Sequence, residues 1–81
     1  MNVTVLYFAA VAEELGTREQ AIDMPVAATI GDVMSKLETD SPSLIAWRDR
    51  LAFARNEAYA SADTVLQDGD TVALIPPVSG G

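Results

Sequence analysis

Cysteine and histidine are absent from the 81 residues, and basic side chains are scarce: five Lys plus Arg face twelve Asp plus Glu, a formal net charge of -7. Without Cys or His the chain forms no disulfide and offers no thiolate nucleophile, no Ser-His relay and no zinc site of the usual ligand set. The negative charge repels phosphate backbones and anionic lipid, so it argues against nucleic acid and membrane surfaces as partners and favours basic proteins. No stretch approaches the roughly 20 apolar residues of a membrane helix. The start, Met1 to Phe8, lacks the basic region that opens a secretory signal. The expectation is a cytoplasmic protein.

What is present argues for one folded unit. Hydrophobic residues make up 49 % of the chain, too many for a disordered acidic tail. The length allows one core, burying about 60 to 65 % of the unfolded surface. Val3-Thr4-Val5-Leu6-Tyr7-Phe8 is β-branched and aromatic and reads as a strand, with Val3, Val5 and Tyr7 on one face and Thr4, Leu6 and Phe8 on the wetter one. Ala9 to Leu15 predicts one or two helical turns ending at Gly16, and Arg18 to Met24 a second strand returning antiparallel to the first.

The clearest helix starts after Thr29, which can cap the next turn while Asp32 favours the positive end of the dipole. Ile30, Val33, Met34 and Leu37 form its apolar stripe, with Asp32, Lys36 and Glu38 turned to solvent. Ser41-Pro42 pairs an N-cap residue with a first-turn proline and opens a short helix that points Leu44, Trp47 and Leu51 inward. Leu51 to Arg55 is extended, Asn56-Glu57 a turn, Tyr59 part of a short edge strand, and Asp63 to Leu66 a single turn. Asp68-Gly69 marks a turn before the last strand, Thr71 to Ile75, where Val72 and Leu74 share one face. A hairpin, a right-handed crossover helix and a final strand parallel to the first close this series into one mixed sheet covered on one side. That is an α+β chain of β-grasp, ubiquitin-like form. Residues 1–75 make the domain and 76–81 an extended tail, with Phe8 and Ile75 brought together where the tail departs.

The tail reads Pro76-Pro77-Val78-Ser79-Gly80-Gly81. Consecutive prolines stiffen its base, and two residues without side chains make its tip thin enough for a narrow active site. Its α-carboxylate, ionised at neutral pH, can attack the α-phosphate of ATP; the acyl-adenylate formed carries the leaving group that a bare carboxylate lacks. The chemistry would then lie in the terminus, in keeping with a chain that has no Cys or His.

The run from Leu66 to Gly81, with Asp68-Gly69-Asp70 and Pro-Pro-Val-Ser-Gly-Gly, resembles the small subunit of molybdopterin synthase, as do Val5-Leu6-Tyr7-Phe8-Ala9, Glu14-Leu15-Gly16-Thr17 and the hairpin residue Asn56. The resemblance implies a sulfur carrier. Its terminal glycine, here Gly81 preceded by Gly80, is adenylated by a ubiquitin-activating-like enzyme that uses ATP, and is then converted to a thiocarboxylate. Inserted into the large subunit of a heterotetramer, the thiocarboxylate passes sulfur to a pterin precursor. No cofactor is expected on the chain itself, which is not an enzyme alone. Phe8, Tyr59 and Ile75 match apolar positions with which the family docks its partners, joined by Leu6 and by tail residues Pro76, Pro77, Val78 and Ser79. A basic docking residue of some members is replaced here by Ala12.

Two carboxylate pairs, Glu13-Glu14 and Asp68/Asp70, read as helix surface and turn, and further calcium ligands at the required offsets are missing, so no metal site is expected. The rival readings are the related sulfur carrier of thiamin synthesis, a ubiquitin-like modifier joined to lysines, and an interaction domain with an inert tail.

Overall fold

The computed structural model describes residues 1–77. The strands are β1 (Asn2–Tyr7), β2 (Glu19–Asp23), β3 (Ala52–Arg55), β4 (Ala58–Ala60) and β5 (Thr71–Ile75), and the helices are α1 (Ala9–Leu15), α2 (Ile30–Asp40) and a 3₁₀ segment, Pro42–Arg50. One sheet runs in the order β2-β1-β5-β3-β4. Only β1 and β5 pair in parallel, with Tyr7 opposite Leu74; the remaining pairs are antiparallel. This is the β-grasp arrangement.

Strand alternation decides which face is covered. Val3, Val5, Tyr7, Val72 and Leu74 are buried on one side, packed with Ile30, Val33, Met34 and Leu37 of α2. Leu6, Ala73 and Ile75 on the other side are only half-buried. β1 ends one residue earlier than its apolar run suggests, because Phe8 is the residue before α1, with extended backbone (φ -128°, ψ 153°).

The start of α2 leaves no orphan among its leading amides. Thr29 accepts from the Asp32 N–H, and the Asp32 carboxylate accepts from the Thr29 N–H, a reciprocal capping box. Ile30 and Gly31 donate to the carbonyls of Thr64 and Ala62 in the loop before β5. Gly31 suits that approach, since a Cβ there would lie 3.3 Å from the Ala62 oxygen and the loop would have to give by a few tenths of an ångström. We expect Thr29→Ala to lower the unfolding free energy by about 1 kcal/mol, with Thr29→Ser within about 0.5 kcal/mol of the parent; urea unfolding followed by circular dichroism measures both.

Two expectations are corrected. Ser41 makes no capping hydrogen bond with its side chain, and the segment it opens is wound as 3₁₀. Glu38 is not turned to solvent: its side chain is 14 % exposed and its Oε2 lies 2.9 Å from Arg48 Nε. The three residues expected to point inward do so to different depths: Leu44 is fully buried, and Trp47 and Leu51 are partly buried against the core.

Candidate functional site

The open face of the sheet owes its shape to small residues at its centre. Cross-strand pairing aligns Leu6 with Ala73, Ala73 with Ala54, and Ala54 with Tyr59. Two alanines flanked by larger side chains leave a trough along β5 and β3. It forms a groove of about 940 Å³, apolar over most of its wall. Phe8 and Ile75 line its end, beside Pro76 and Pro77.

The structure therefore brings the sequence-predicted trio into one groove. Tyr59 is 80 % exposed and Phe8 45 %, Ile75 is half-buried, Pro76 is buried and Pro77 exposed. Leu6 lies in the same wall. Val78, Ser79, Gly80 and Gly81 lie outside the described residues. Among the described residues no three His, Cys, Asp or Glu side chains converge in a way that could hold a metal ion.

The position of Tyr59 depends on a polar cluster at the other end of the groove. The β3–β4 turn places both central residues in the left-handed region, Asn56 at φ 49° and Glu57 at φ 72°, as a two-residue hairpin demands. Glu57 has no intrinsic preference for that conformation, and Asn56 fixes it: its Nδ2 donates to Asp70 Oδ1 at 2.9 Å, and its Oδ1 accepts from the Thr71 N–H at 2.9 Å. Asp70 also accepts from Arg55 Nε at 2.7 Å and from the Gln67 N–H at 2.8 Å. These bonds, led by that from Arg55, outweigh the opposing effect of burial and hold the Asp70 carboxyl down at about 2. The turn motif pointed to Asp68 and Asp70 alike, but not to an ion pair. The available signal was Arg55, which alternation places on the covered face with Phe53.

The tail end of the groove is walled by α1 and the 3₁₀ segment. Trp47 Nε1 donates to Glu14 Oε2 at 2.8 Å, tying the two together. The Arg50 guanidinium lies 4.2 Å from the centre of the Trp47 ring, and its Nη2 donates to the Ala46 carbonyl at 3.4 Å. Ala12 is not in this wall; it faces a smaller cleft between α1 and the start of β2.

A small β-grasp body with an apolar groove at the foot of a Pro-Pro-led segment places the chain in the ubiquitin-like class of proteins. The comparisons narrow this. Residues 5–81 match the model of the ThiS family, and the chain belongs to that family. It is 42 % identical over 84 residues to the molybdopterin synthase sulfur carrier subunit of Drosophila erecta, covering 100 % of this chain and 92 % of the relative. The crystal structure of SAMP1 from Haloferax volcanii superposes with a TM-score of 0.89 at 32 % identity, with both chains covered in full. A chain in the protein-protein complex of subunits 1 and 2 of molybdopterin-converting factor from Helicobacter pylori does so with a TM-score of 0.71 at 27 % identity, again over 100 % of both chains.

Proposed function

We propose that the chain is the sulfur-carrier subunit of molybdopterin synthase. The observation that carries this reading is the continuity of the apolar groove with the foot of the tail, Pro76 and Pro77 lining both. A partner seated in the groove receives whatever follows Pro77. The Gly81 carboxylate attacks the α-phosphate of ATP on a ubiquitin-activating-like adenylyltransferase, releasing pyrophosphate. A sulfide-level sulfur nucleophile then attacks the carbonyl carbon, the bond to AMP breaks and AMP leaves, and a thiocarboxylate remains with no change of oxidation state. The large subunit takes up the loaded tail, and the sulfur passes to a pterin precursor. The fold contributes delivery and recognition, while the partners contribute ATP binding and the pterin site; we place the protein with them in the cytoplasm. Its acidic surface speeds association with basic patches, an effect that weakens with added salt.

The test is the intact mass after incubation with the activating enzyme, ATP and a sulfur source. The expected result is a gain equal to exchange of one oxygen for sulfur, located in the C-terminal peptide. An unchanged mass while the enzyme turns over ATP contradicts the proposal. The likeness to SAMP1 favours a second reading as a modifier, for which Gly81-dependent conjugates on other proteins are the distinguishing product.

A further inference from the structure

The charges that line the groove stand at its two ends and have opposite signs. Arg50 precedes Leu51 and Ala52, and Ala52 pairs with Ile75, so Arg50 stands at the tail end. Glu57 follows Arg55, which pairs with Val72, so Glu57 stands at the far end. Between them the floor is alanine and the walls are Leu6, Phe8, Tyr59 and Ile75. Arg50 is also the basic side chain that lines the groove. Arg48 and Arg55 have carboxylate partners, whereas among the described residues Arg50, like Arg18 and Lys36, has none. The Arg50 side-chain hydrogen bond to Ala46 is long, and the guanidinium carbon sits over the Trp47 ring, 4.2 Å from its centre, an arrangement that leaves most of its five donors free.

We propose that Arg50, braced by Trp47, and Glu57 read the polarity of the segment that occupies the groove. That occupant is a stretch of the synthase large subunit with apolar side chains in its middle, a carboxylate at the end nearest the tail and a basic group at the other. The inference rests on the reading of the chain as that enzyme's carrier subunit. The net charge of -7 attracts basic surfaces from a distance but does not orient them. A free guanidinium fork at one end, suited to bidentate capture of a carboxylate, and an anion at the other make only one direction of the bound segment favourable. Direction matters because the tail must leave the groove toward the large subunit's active site rather than away from it. The brace from Glu14 through the Trp47 indole to Arg50 fixes the guanidinium before binding, so less side-chain entropy is lost when the carboxylate arrives.

The experiment is a charge swap, Arg50→Glu with Glu57→Arg in the full chain, which reverses the groove's polarity and keeps the net charge unchanged. Affinity for the isolated large subunit is measured by titration calorimetry, beside Tyr59→Ala. The expected result is a loss of about tenfold for the swap with a urea midpoint near the parent's, and Trp47→Ala alone causing part of the affinity loss together with a lower midpoint of its own, since Trp47 also packs against the core. A swap variant that binds within twofold of the parent, while Tyr59→Ala weakens binding, overturns the polarity proposal and leaves groove docking standing. If neither variant changes the affinity, the groove is not the docking site and both readings fall. Dimers of the chain alone, seen by sedimentation and abolished by Tyr59→Ala, would assign the groove to a second copy and overturn the proposed occupant.

Discussion

At pH 7 the Asp70→Asn variant should unfold about 2 kcal/mol more easily than the parent chain, and the gap should narrow as pH falls from about 4 toward 2. The native carboxyl titrates at about 2 rather than 3.8, so on acidification the unfolded chain takes up its proton first. The stabilisation is therefore complete above about pH 4 and is lost as pH falls through the native value. The size of the effect is moderated by location. The Asp70 side chain is 8 % exposed and Arg55 32 %, so the pair lies in the outer layer of the molecule. Solvent partly screens it, and the loss falls below the 3–5 kcal/mol typical of breaking a deeply buried pair. Urea titrations of both proteins at several pH values give the two curves. A gap that stays constant down to pH 3 would mean that the hydrogen-bond geometry around residue 70, not its charge, holds the hairpin. The consequence reaches function: Asp70 holds Asn56, Asn56 holds the left-handed turn, and the turn sets Glu57 and Tyr59 at one end of the groove.

Alternation alone made the sheet legible. Val3, Val5 and Tyr7 against Thr4 and Leu6, and Val72 and Leu74 against Ala73, assign the two faces correctly because one is covered by α2 and the other is not. The stripe on α2 is equally plain, and it leaves the parallel pairing of β1 with β5 as the economical closure, which puts Phe8 and Ile75 at one end of one groove. What escaped the sequence depends on partners distant along the chain. Trp47 carries the spacing of an inward residue, yet its indole N–H needs an acceptor, and Glu14, 33 residues earlier, supplies one at the surface. The ring therefore stays at the groove mouth and becomes the support for Arg50. Arg55 and Asp70 were separately visible, as the last residue of an extended run and an acid in a turn. Only the β3–β5 register brings them together. Local patterns report which side faces water; they do not report which polar groups find one another.

Appending a single alanine after Gly81 should reduce thiocarboxylate formation, and sulfur transfer by the synthase, by more than about 100-fold, because the reacting atoms must meet within about 3 to 3.5 Å and even 1 Å of displacement can cost that much. One added residue moves the carboxyl by about 3.3 to 3.6 Å along an extended chain. It also places a methyl group at a tip that Gly80 and Gly81 keep bare. Stability should not follow activity. The core cluster draws its last member from Leu74, and the open-face groove ends at Pro76 and Pro77, so the unfolding free energy should remain within about 0.5 kcal/mol of the parent. Affinity for the large subunit, measured without ATP, should fall far less than activity if the groove supplies most of the recognition. Removal of the added alanine by a site-specific protease should restore activity in the same sample, separating a blocked terminus from a misfolded chain. Full sulfur transfer by the extended protein would place the chemistry elsewhere and reduce the tail to a spacer.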